Sequence, residues 1–188
     1  MRSNSMHYRL RQAQRVLDSG GIIAYPTEAV YGLGCNPIRG DSVARLLALK
    51  QRPWRKGLIL VCDRFDPLLD WIEPLPPEQM APLLASWPGP HTWLLQAQPW
   101  VPRWVRGQHD SLAVRVSAHP LVAALCRGFG GPLISTSANI SNLPPARSPT
   151  QVRLQFARRI DYLLSGPLGG LAQPTPIRDA RSGRQLRG

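Results

Sequence analysis

The sequence predicts an α/β fold, in which helices pack on a β-sheet. Amphipathic stripes typical of helices, such as Met6, Leu10 and Ala13, alternate along the chain with short apolar runs typical of buried strands. Loops that carry glycine or proline separate these segments. Because helix and strand patterns alternate rather than cluster, they favour helices layered on a sheet.

Six helices are predicted from apolar residues spaced three and four apart and from residues that favour helix ends. Gly20-Gly21 suits the left-handed stop of the first helix, Asp41 is expected to cap the second, and Pro120 suits the first turn of the fifth. In chain order the helices are expected over residues 6–19, 41–50, 66–72, 78–87, 120–127 and 148–159.

Short apolar runs bounded by turn residues predict the strands. Along the run 112–116 the side chains must alternate, so Ala113 and Arg115 point to the face opposite Leu112 and Val114. The segments 27–34 and 100–106 are predicted to be loops. Strands are expected over 22–25, 58–62, 93–95, 112–116, 132–134 and 161–165, with a terminal hairpin of 176–180 and 184–187.

The length and composition predict one soluble domain over residues 1–188 that attracts anions. The 23 Lys and Arg residues outnumber the 11 Asp and Glu residues, which gives a formal charge of +12 and predicts attraction to RNA or a nucleotide.

No run resembles a secretory signal or a membrane span, so we expect a cytoplasmic protein that binds no membrane. Cys35, Cys62 and Cys126 lie in or beside apolar segments, which favours buried thiols.

The first candidate site is the basic segment 50–57. Lys50 continues the apolar stripe of the predicted helix 41–50, although burying an unpaired ammonium is costly. Two interpretations remain open. Lys50 and Arg52 either complement the negative end of the helix dipole while their stems reach water, or converge with Lys56 on a bound phosphate or carboxylate.

The second candidate site lies at the end of the predicted strand 132–134. The residues that follow, Ser135 to Asn139, carry three hydroxyls and an amide. Such side chains either bond to their own backbone or form a ligand site at the end of a strand. Arg115, on a strand that looks central, also needs a partner, either a carboxylate such as Asp179 or a ligand phosphate.

The loop 142–149 contains three prolines. It is long enough to be a lid over the site, and its prolines equally suit a rigid connector. Both interpretations remain open.

Five segments together resemble the successive motifs of the YrdC-type L-threonylcarbamoyladenylate synthases. The resemblance spans nearly the whole chain, and its order matters more than any single motif. Because the chain stops soon after Asp179, it is similar to the short bacterial form of that family. The five segments are YPTEAVYGLG (25–34), KQRPWRKGL (50–58), WPGPHT (87–92), SLAVRV (111–116) and STSAN (135–139).

The resemblance implies a single YrdC-like domain, a twisted, mostly parallel or mixed sheet flanked by helices, with a basic concave face. It implies ATP-dependent synthesis of threonylcarbamoyl-AMP from L-threonine and bicarbonate, with release of pyrophosphate. This reaction is the first step of threonylcarbamoyladenosine modification of tRNA next to the anticodon. A tRNA-modification complex that consumes the product is the expected partner, and Mg²⁺ is expected to arrive with ATP, since no carboxylate cluster is evident.

Site residues follow from the residues together with the resemblance. Lys50, Arg52 and Arg115 are expected to be catalytic by neutralising phosphate charge. The ATP-binding residues are expected to be Lys50, Arg52, Lys56, Arg115, Ser135, Ser137 and Asn139. The threonine-binding residues are expected to be Thr27, Thr136, Ser137 and Thr175. Glu28 could contact the metal through water, but a surface carboxylate is the favoured interpretation.

A non-catalytic RNA-binding module is the alternative. The same basic face could hold a phosphate backbone, with Trp100 and Trp104 as stacking platforms. The buried-face lysine and the hydroxyl-rich strand end favour a compact triphosphate over a long strand.

Overall fold

The computed structural model describes residues 2–173 and 175–187. Helices form close to the predicted positions, and single 3-10 turns at Trp54–Lys56 and Ala157–Arg159 follow α2 and α7. The α-helices of the described part are α1 Arg2–Asp18, α2 Gly40–Lys50, α3 Asp66–Leu69, α4 Pro77–Ser86, α5 Arg103–Arg106, α6 Pro120–Phe129 and α7 Pro149–Phe156.

The strands form one mixed sheet in the order β7-β1-β2-β6-β3-β5-β4-β8-β9. The α/β fold is therefore confirmed. Three of the eight strand pairings between described residues are parallel, so the sheet is mixed rather than mostly parallel. The strands are β1 Ile23–Pro26, β2 Tyr31–Gly34, β3 Ile59–Cys62, β4 Thr92–Gln96, β5 Ser111–Val116, β6 Leu133–Ser137, β7 Tyr162–Leu163, β8 Ile177–Asp179 and β9 Gln185–Arg187.

The segment 27–34, predicted to be a loop, contains the strand β2. This strand runs antiparallel to both β1 and β6. Its glycines permit the close approach, because a Cβ on Gly34 would lie only 2.6 Å from the carbonyl oxygen of Ile134. The segment 100–106, also predicted to be a loop, contains the short helix α5.

The start of α2 differs from the prediction. Arg39 rather than Asp41 occupies the N-cap position, and its side chain makes no capping hydrogen bond. Asp41 lies in the first turn, where its carboxylate pairs with Arg39 at 3.1 Å. An acidic residue there still favours the positive end of the helix dipole. The helix ends as predicted at Lys50, with Gln51 in the left-handed conformation at φ 50°.

The hydrophobic core lies mainly between the sheet and the helices. Helices α1 and α6 contact each other, and both also contact β1. On β5, Leu112 and Val114 are fully buried, as the alternation predicted. The three cysteines are buried and free, which confirms the prediction of buried thiols. Among the described helices, none combines the length and apolar character required to cross a membrane.

The helix α7 provides a test of this packing. Phe156 is fully buried, whereas Leu154 on the same helix is 79% exposed. We expect Phe156→Ala to lower the free energy of unfolding by about 3–5 kcal/mol, because it removes an aromatic ring and leaves a cavity. Leu154→Ala is the matched control and should change the free energy by less than about 0.5 kcal/mol. Urea unfolding measures both, and equal effects would contradict this packing.

Candidate active site

Eight of the predicted site residues line one cavity of about 270 Å³ on a face of the sheet. They come from the loop before β2, from the segment after α2, from β5, from β6 and the residues after it, and from the segment before β8. These eight residues are Thr27, Arg52, Arg115, Ser135, Thr136, Ser137, Asn139 and Thr175. We call this space the first cavity. Lys50 and Lys56 are not among its lining residues.

Strand register explains why the cavity lies on this face. Ile59 on β3 lies opposite Ser135 on β6 and opposite Ala113 on β5, and Ala113 in turn lies opposite Leu94 on β4. Directly opposed residues project from the same face of a sheet. Because side chains alternate along β5, Arg115 projects from the same face as Ala113 and reaches the first cavity.

Arg115 is held by a buried polar network. Its Nη1 donates to Thr175 Oγ1 at 2.8 Å, and its Nη2 lies 3.6 Å from Glu28 Oε2. Glu28 Oε1 also accepts a hydrogen bond of 2.6 Å from the Ser117 hydroxyl. Both Glu28 and Arg115 are 6% exposed. The expectation of a surface Glu28 was therefore wrong. Arg115 does have a carboxylate partner, one of the two alternatives, but that carboxylate is Glu28 rather than Asp179.

This network leaves one donor of Arg115 without an acceptor. The Nε atom is buried and has no hydrogen-bond partner among the described residues. Burying an unsatisfied polar group costs free energy unless a partner arrives.

Arg52 lies where the first cavity meets a second one. Its Nη2 donates to the carbonyl oxygen of Gly57 at 2.9 Å, which folds the side chain back toward the start of β3. Gly57 adopts a φ of 64°, a conformation that favours glycine. Arg52, Leu58 and Ile59 line both cavities.

The second cavity has a volume of about 300 Å³ and lies further along the same face, over β3, β5 and β4. Lys56 lines only this second cavity, whereas Arg52 lines both. The basic segment 50–57 therefore contributes side chains to two cavities. Apolar side chains form much of the wall of the second cavity, and basic or polar ones form the rest. The basic and polar lining residues are Arg52, Lys56, Arg106, His109 and Ser111.

Lys50 is buried with 3% exposure, but its ammonium is satisfied by the protein. Its Nζ donates to the carbonyl oxygen of Ser137, to that of Asn139 at 2.8 Å and to Asn139 Oδ1 at 3.4 Å. Neither interpretation of Lys50 from the sequence included these partners. Burial, with a contribution from nearby Arg52, lowers the pKa of the Lys50 ammonium to about 8. Its contact with ATP phosphate stays a prediction.

The hydroxyl-rich segment Ser135 to Asn139 forms the wall of the first cavity to which the Lys50 ammonium donates hydrogen bonds. Ser135, Thr136 and Ser137 belong to β6. The Ser137 hydroxyl donates to Asn139 Oδ1 at 2.6 Å, and the Asn139 amide donates to the carbonyl oxygens of Ile140 at 3.0 Å and Leu143 at 2.9 Å. These bonds fix the side chains that border the first cavity.

Thr27 also lines the first cavity. Its hydroxyl donates to the carbonyl oxygen of Val30 at 2.7 Å, which leaves its lone pairs free to accept. Gly32 faces it, and a Cβ there would lie 3.1 Å from the Thr27 methyl group. Any side chain at Gly32 would therefore narrow the first cavity.

The loop 142–149 is fastened beside the cavity. The N–H of Ala146 donates to the carbonyl oxygen of Ala138 at 2.9 Å, and the N–H of Tyr31 donates to that of Ala146 at 2.8 Å. Pro145 lines the first cavity. These bonds favour the rigid-connector interpretation of the loop in this structure.

Sequence reasoning missed the apolar part of the wall and the partner of Arg115. Tyr31, Leu58, Ile59 and Pro145 line the first cavity, but apolar residues carry no local signal of a site. Glu28 does carry such a signal, because a carboxylate directly after a buried strand is a candidate partner for an arginine on another strand.

These features define an α/β domain with a cavity lined by two arginines and a hydroxyl-rich strand end. The chain belongs to the Sua5/YciO/YrdC family. The model of that family, described as "Telomere recombination", matches residues 15–187. This match confirms the resemblance found in the five sequence motifs.

Two relatives are similar over almost their whole length. The chain is 57% identical over 180 residues to a protein named threonylcarbamoyl-AMP synthase from Xanthomonas campestris pv. campestris, with 95% of this chain and 96% of the relative covered. It is 58% identical over 180 residues to a protein of the same name from Halorhodospira halophila, with 96% and 94% covered.

The fold is also similar to a solved structure of P. abyssi Sua5 complexed with L-threonine. The TM-score is 0.87 and the sequence identity 31%, with 92% of this chain covered. The chain spans about half of that protein, 51% of its length.

Replacement of Lys50 tests its structural role. We expect Lys50→Met to lower the free energy of unfolding at pH 7 by about 1–3 kcal/mol, because buried carbonyl oxygens lose their donor. The folded-state pKa is depressed below the unfolded value of about 10.4, so the unfolded state binds more protons between these values. Wild-type stability should therefore rise relative to Lys50→Met as pH increases from about 8 to 10.4.

The other lysine provides a matched control. Lys56 is exposed, so Lys56→Met should change the free energy of unfolding by less than about 0.5 kcal/mol at each of these pH values. Chemical unfolding of the three proteins at several pH values measures both effects. A difference between wild type and Lys50→Met that shrinks as pH rises would contradict the assignment.

Proposed function

We propose that the protein synthesises threonylcarbamoyl-AMP from L-threonine, bicarbonate and ATP and releases pyrophosphate. The observation that carries the proposal is its similarity, at 57–58% identity over nearly the whole chain, to proteins named threonylcarbamoyl-AMP synthase. The gathering of the predicted site residues around one cavity supports it further.

The chemistry needs positioning and charge neutralisation more than a protein nucleophile. The threonine amine and bicarbonate first give an N-carboxylate and water. An oxygen of this carbamate then forms a bond to the α-phosphorus of ATP, while the bond from that phosphorus to the β-bridging oxygen breaks and its electron pair leaves with pyrophosphate. Such transfers are accelerated by fixed cations and hydrogen-bond donors around the phosphorus.

The first cavity provides groups for the threonine part. Arg115 lines this space, and its guanidinium suits the ATP phosphate as well as a carboxylate or carbamate oxygen. Thr27, Thr136, Ser137 and Thr175 border the same space and can bond to the amino-acid hydroxyl and carbamate. The solved P. abyssi Sua5 complex with L-threonine supports an amino-acid site in this fold.

The ATP phosphates are assigned to the junction of the two cavities. Arg52 reaches this point, and Ser135, Ser137 and Asn139 border it on the side of the first cavity. Lys56 approaches from the second cavity, and Lys50 acts from behind the segment that ends β6. Mg²⁺ is proposed to arrive with ATP as part of the substrate and to keep much of its water.

The cellular setting is part of the proposal. The product would serve threonylcarbamoyladenosine modification of tRNA next to the anticodon, through a transferase complex that consumes it. A mixed acid anhydride of this kind is labile in water, which favours direct use by a partner. The use of ATP and the delivery of the product to tRNA modification suit a cytoplasmic protein.

The RNA-binding alternative is not favoured by the relatives. The two proposed stacking residues are also engaged in the fold. The Trp100 ring lies 4.7 Å from that of Trp71, and the Trp104 indole N–H donates to the carbonyl oxygen of Pro37 at 3.1 Å. RNA could still contact the basic exterior without stacking on these rings.

Pyrophosphate release tests the proposed reaction. We expect release only when ATP, bicarbonate and L-threonine are all present, and none when any one is omitted. Arg52→Lys should reduce kcat/KM roughly 10- to 100-fold, because lysine cannot reproduce a bidentate phosphate contact.

Arg55→Lys is the matched control. Arg55 is exposed three residues further along the chain, and the same replacement there should leave turnover unchanged. Threonine-independent pyrophosphate release, or no release together with tight RNA binding, would contradict the proposed reaction.

Amino-acid choice tests the assignment of the first cavity. Valine lacks the hydroxyl and leaves buried polar groups unpaired, so we expect its kcat/KM to fall on the order of 10⁴-fold. Serine lacks only a methyl group and should lose about 10- to 100-fold. Comparable pyrophosphate release with valine and threonine would exclude Thr27 and the 135–139 segment as the amino-acid site.

A further inference from the structure

The outer side of α7 and the loop before it expose two leucines. Val152 and Phe156 lie on the inner side of α7 and are fully buried. Leu154 is two residues from each of them, so it projects from the opposite side of the helix, where it is 79% exposed. Leu143, in the loop 142–149, is 48% exposed. Single exposed leucines are ordinary in proteins, so the surroundings of these two decide what they indicate.

The two leucines flank a hydrogen bond that joins α7 to the rim of the first cavity. Gln155 Nε2 donates to the carbonyl oxygen of Pro144 at 2.9 Å. The next residue along the loop, Pro145, lines the first cavity. A molecule that covers Leu143 and Leu154 would therefore stand beside the cavity to which the threonine part of the substrate is assigned.

The sequence around these leucines is basic and has no acidic residue. Residues 111–160 contain six arginines and no aspartate or glutamate. A basic surface with apolar side chains among its charges fits a partner that presents carboxylates around an apolar contact. Four of the six arginines lie close to the leucines in the sequence and are exposed, namely Arg147, Arg153, Arg158 and Arg159.

These features favour a protein partner over RNA. Single-stranded RNA is held by aromatic stacking together with basic side chains. The segment 142–160 has one aromatic residue, Phe156, and it is fully buried. Phosphates offer no apolar surface to a leucine, whereas a protein can cover Leu154 and pair with Arg153 at the same time. A second copy of this chain fits poorly, because two molecules with a formal charge of +12 repel each other.

We propose that Leu143, Arg153 and Leu154 form a docking surface for the protein that consumes threonylcarbamoyl-AMP, and that this partner meets them with carboxylates around an apolar patch. The inference rests on the proposed function. The product is a mixed anhydride that water destroys, so transfer to a partner already docked beside the site preserves it. The threonylcarbamoyl group is the part transferred next, and it is assigned to the first cavity, whose rim adjoins this surface.

Binding and coupling measurements test the surface. Leu154 and Arg153 are not among the described residues that line the two cavities, so pyrophosphate release by their variants alone should stay within about twofold of wild type. We expect Leu154→Ala and Arg153→Gln each to raise the Kd for the purified transferase complex that consumes the product roughly 10-fold. In the coupled reaction, less modified tRNA should form per pyrophosphate released, because more of the product hydrolyses before transfer.

Leu84→Ala and Arg11→Gln are the matched controls. Leu84 is 49% exposed on α4, and Arg11 is exposed on α1. Neither control should change the Kd for the transferase complex. Higher salt should reduce the difference between wild type and Arg153→Gln, whereas the effect of Leu154→Ala should persist. In a parallel titration with tRNA alone, Leu154→Ala should bind as wild type does, and thermal unfolding shows whether each variant is folded.

Four results would overturn the proposal. Wild type that does not bind the transferase complex, or an unchanged Kd in both Leu154→Ala and Arg153→Gln, would exclude the surface. Equal losses in Arg153→Gln and Arg11→Gln would show a general charge effect. Loss of tRNA binding in Arg153→Gln, with normal binding of the transferase complex, would assign the surface to RNA. Failure of the proposed function is distinguishable, because it appears as absent pyrophosphate release by wild type in the assay without the transferase complex.

Discussion

The candidate site depends on a buried ammonium that must find oxygen partners. Lys50 ends α2, and its Nζ bonds to the carbonyl oxygens of Ser137 and Asn139, while its own carbonyl oxygen accepts the N–H of Ser141 at 2.8 Å. An ammonium buried without these bonds would be very costly. The end of α2 and the segment 137–141 therefore have to form together, and that coupling positions the hydroxyl-lined wall of the first cavity.

Arg115 is a second buried charge, but its hydrogen bonds, unlike those of Lys50, are incomplete. Arg115 is paired with Glu28, yet Arg115 Nε and Glu28 Oε2 both lack a hydrogen-bond partner among the described residues. The pair keeps the guanidinium buried and oriented without satisfying it fully. Removal of one partner leaves an unpaired buried charge, which costs more free energy than formation of the pair contributes. The pair is therefore retained even though its hydrogen bonds are incomplete. Arg115 therefore keeps a fixed orientation at the wall of the first cavity.

Local pattern predicted most helices and strands, because apolar spacing and turn residues act within about ten residues. It also identified Arg115 and the Ser135–Asn139 segment, since polar groups on apolar strands are conspicuous. The local pattern did not predict contacts between residues that are far apart in the sequence. The Glu28–Ser117 hydrogen bond joins positions 89 apart, and the same separation divides Lys50 from Asn139. Strand β2 was missed for a related reason, because its glycines have little strand propensity and are stabilised by neighbours on both sides.

The mixed sheet is itself a requirement of the site. Arg52 precedes β3, so it lies at the amino end of that strand, whereas Ser135 to Ser137 form the carboxyl end of β6. In a parallel pair these two ends would be separated by the length of β3, four residues or roughly 13 Å. Because β6 runs antiparallel to β3, Ser135 lies directly opposite Ile59 and its carboxyl end reaches Arg52. The antiparallel insertion of β6 is thus what brings the hydroxyl groups of β6 and the Arg52 side chain to one cavity.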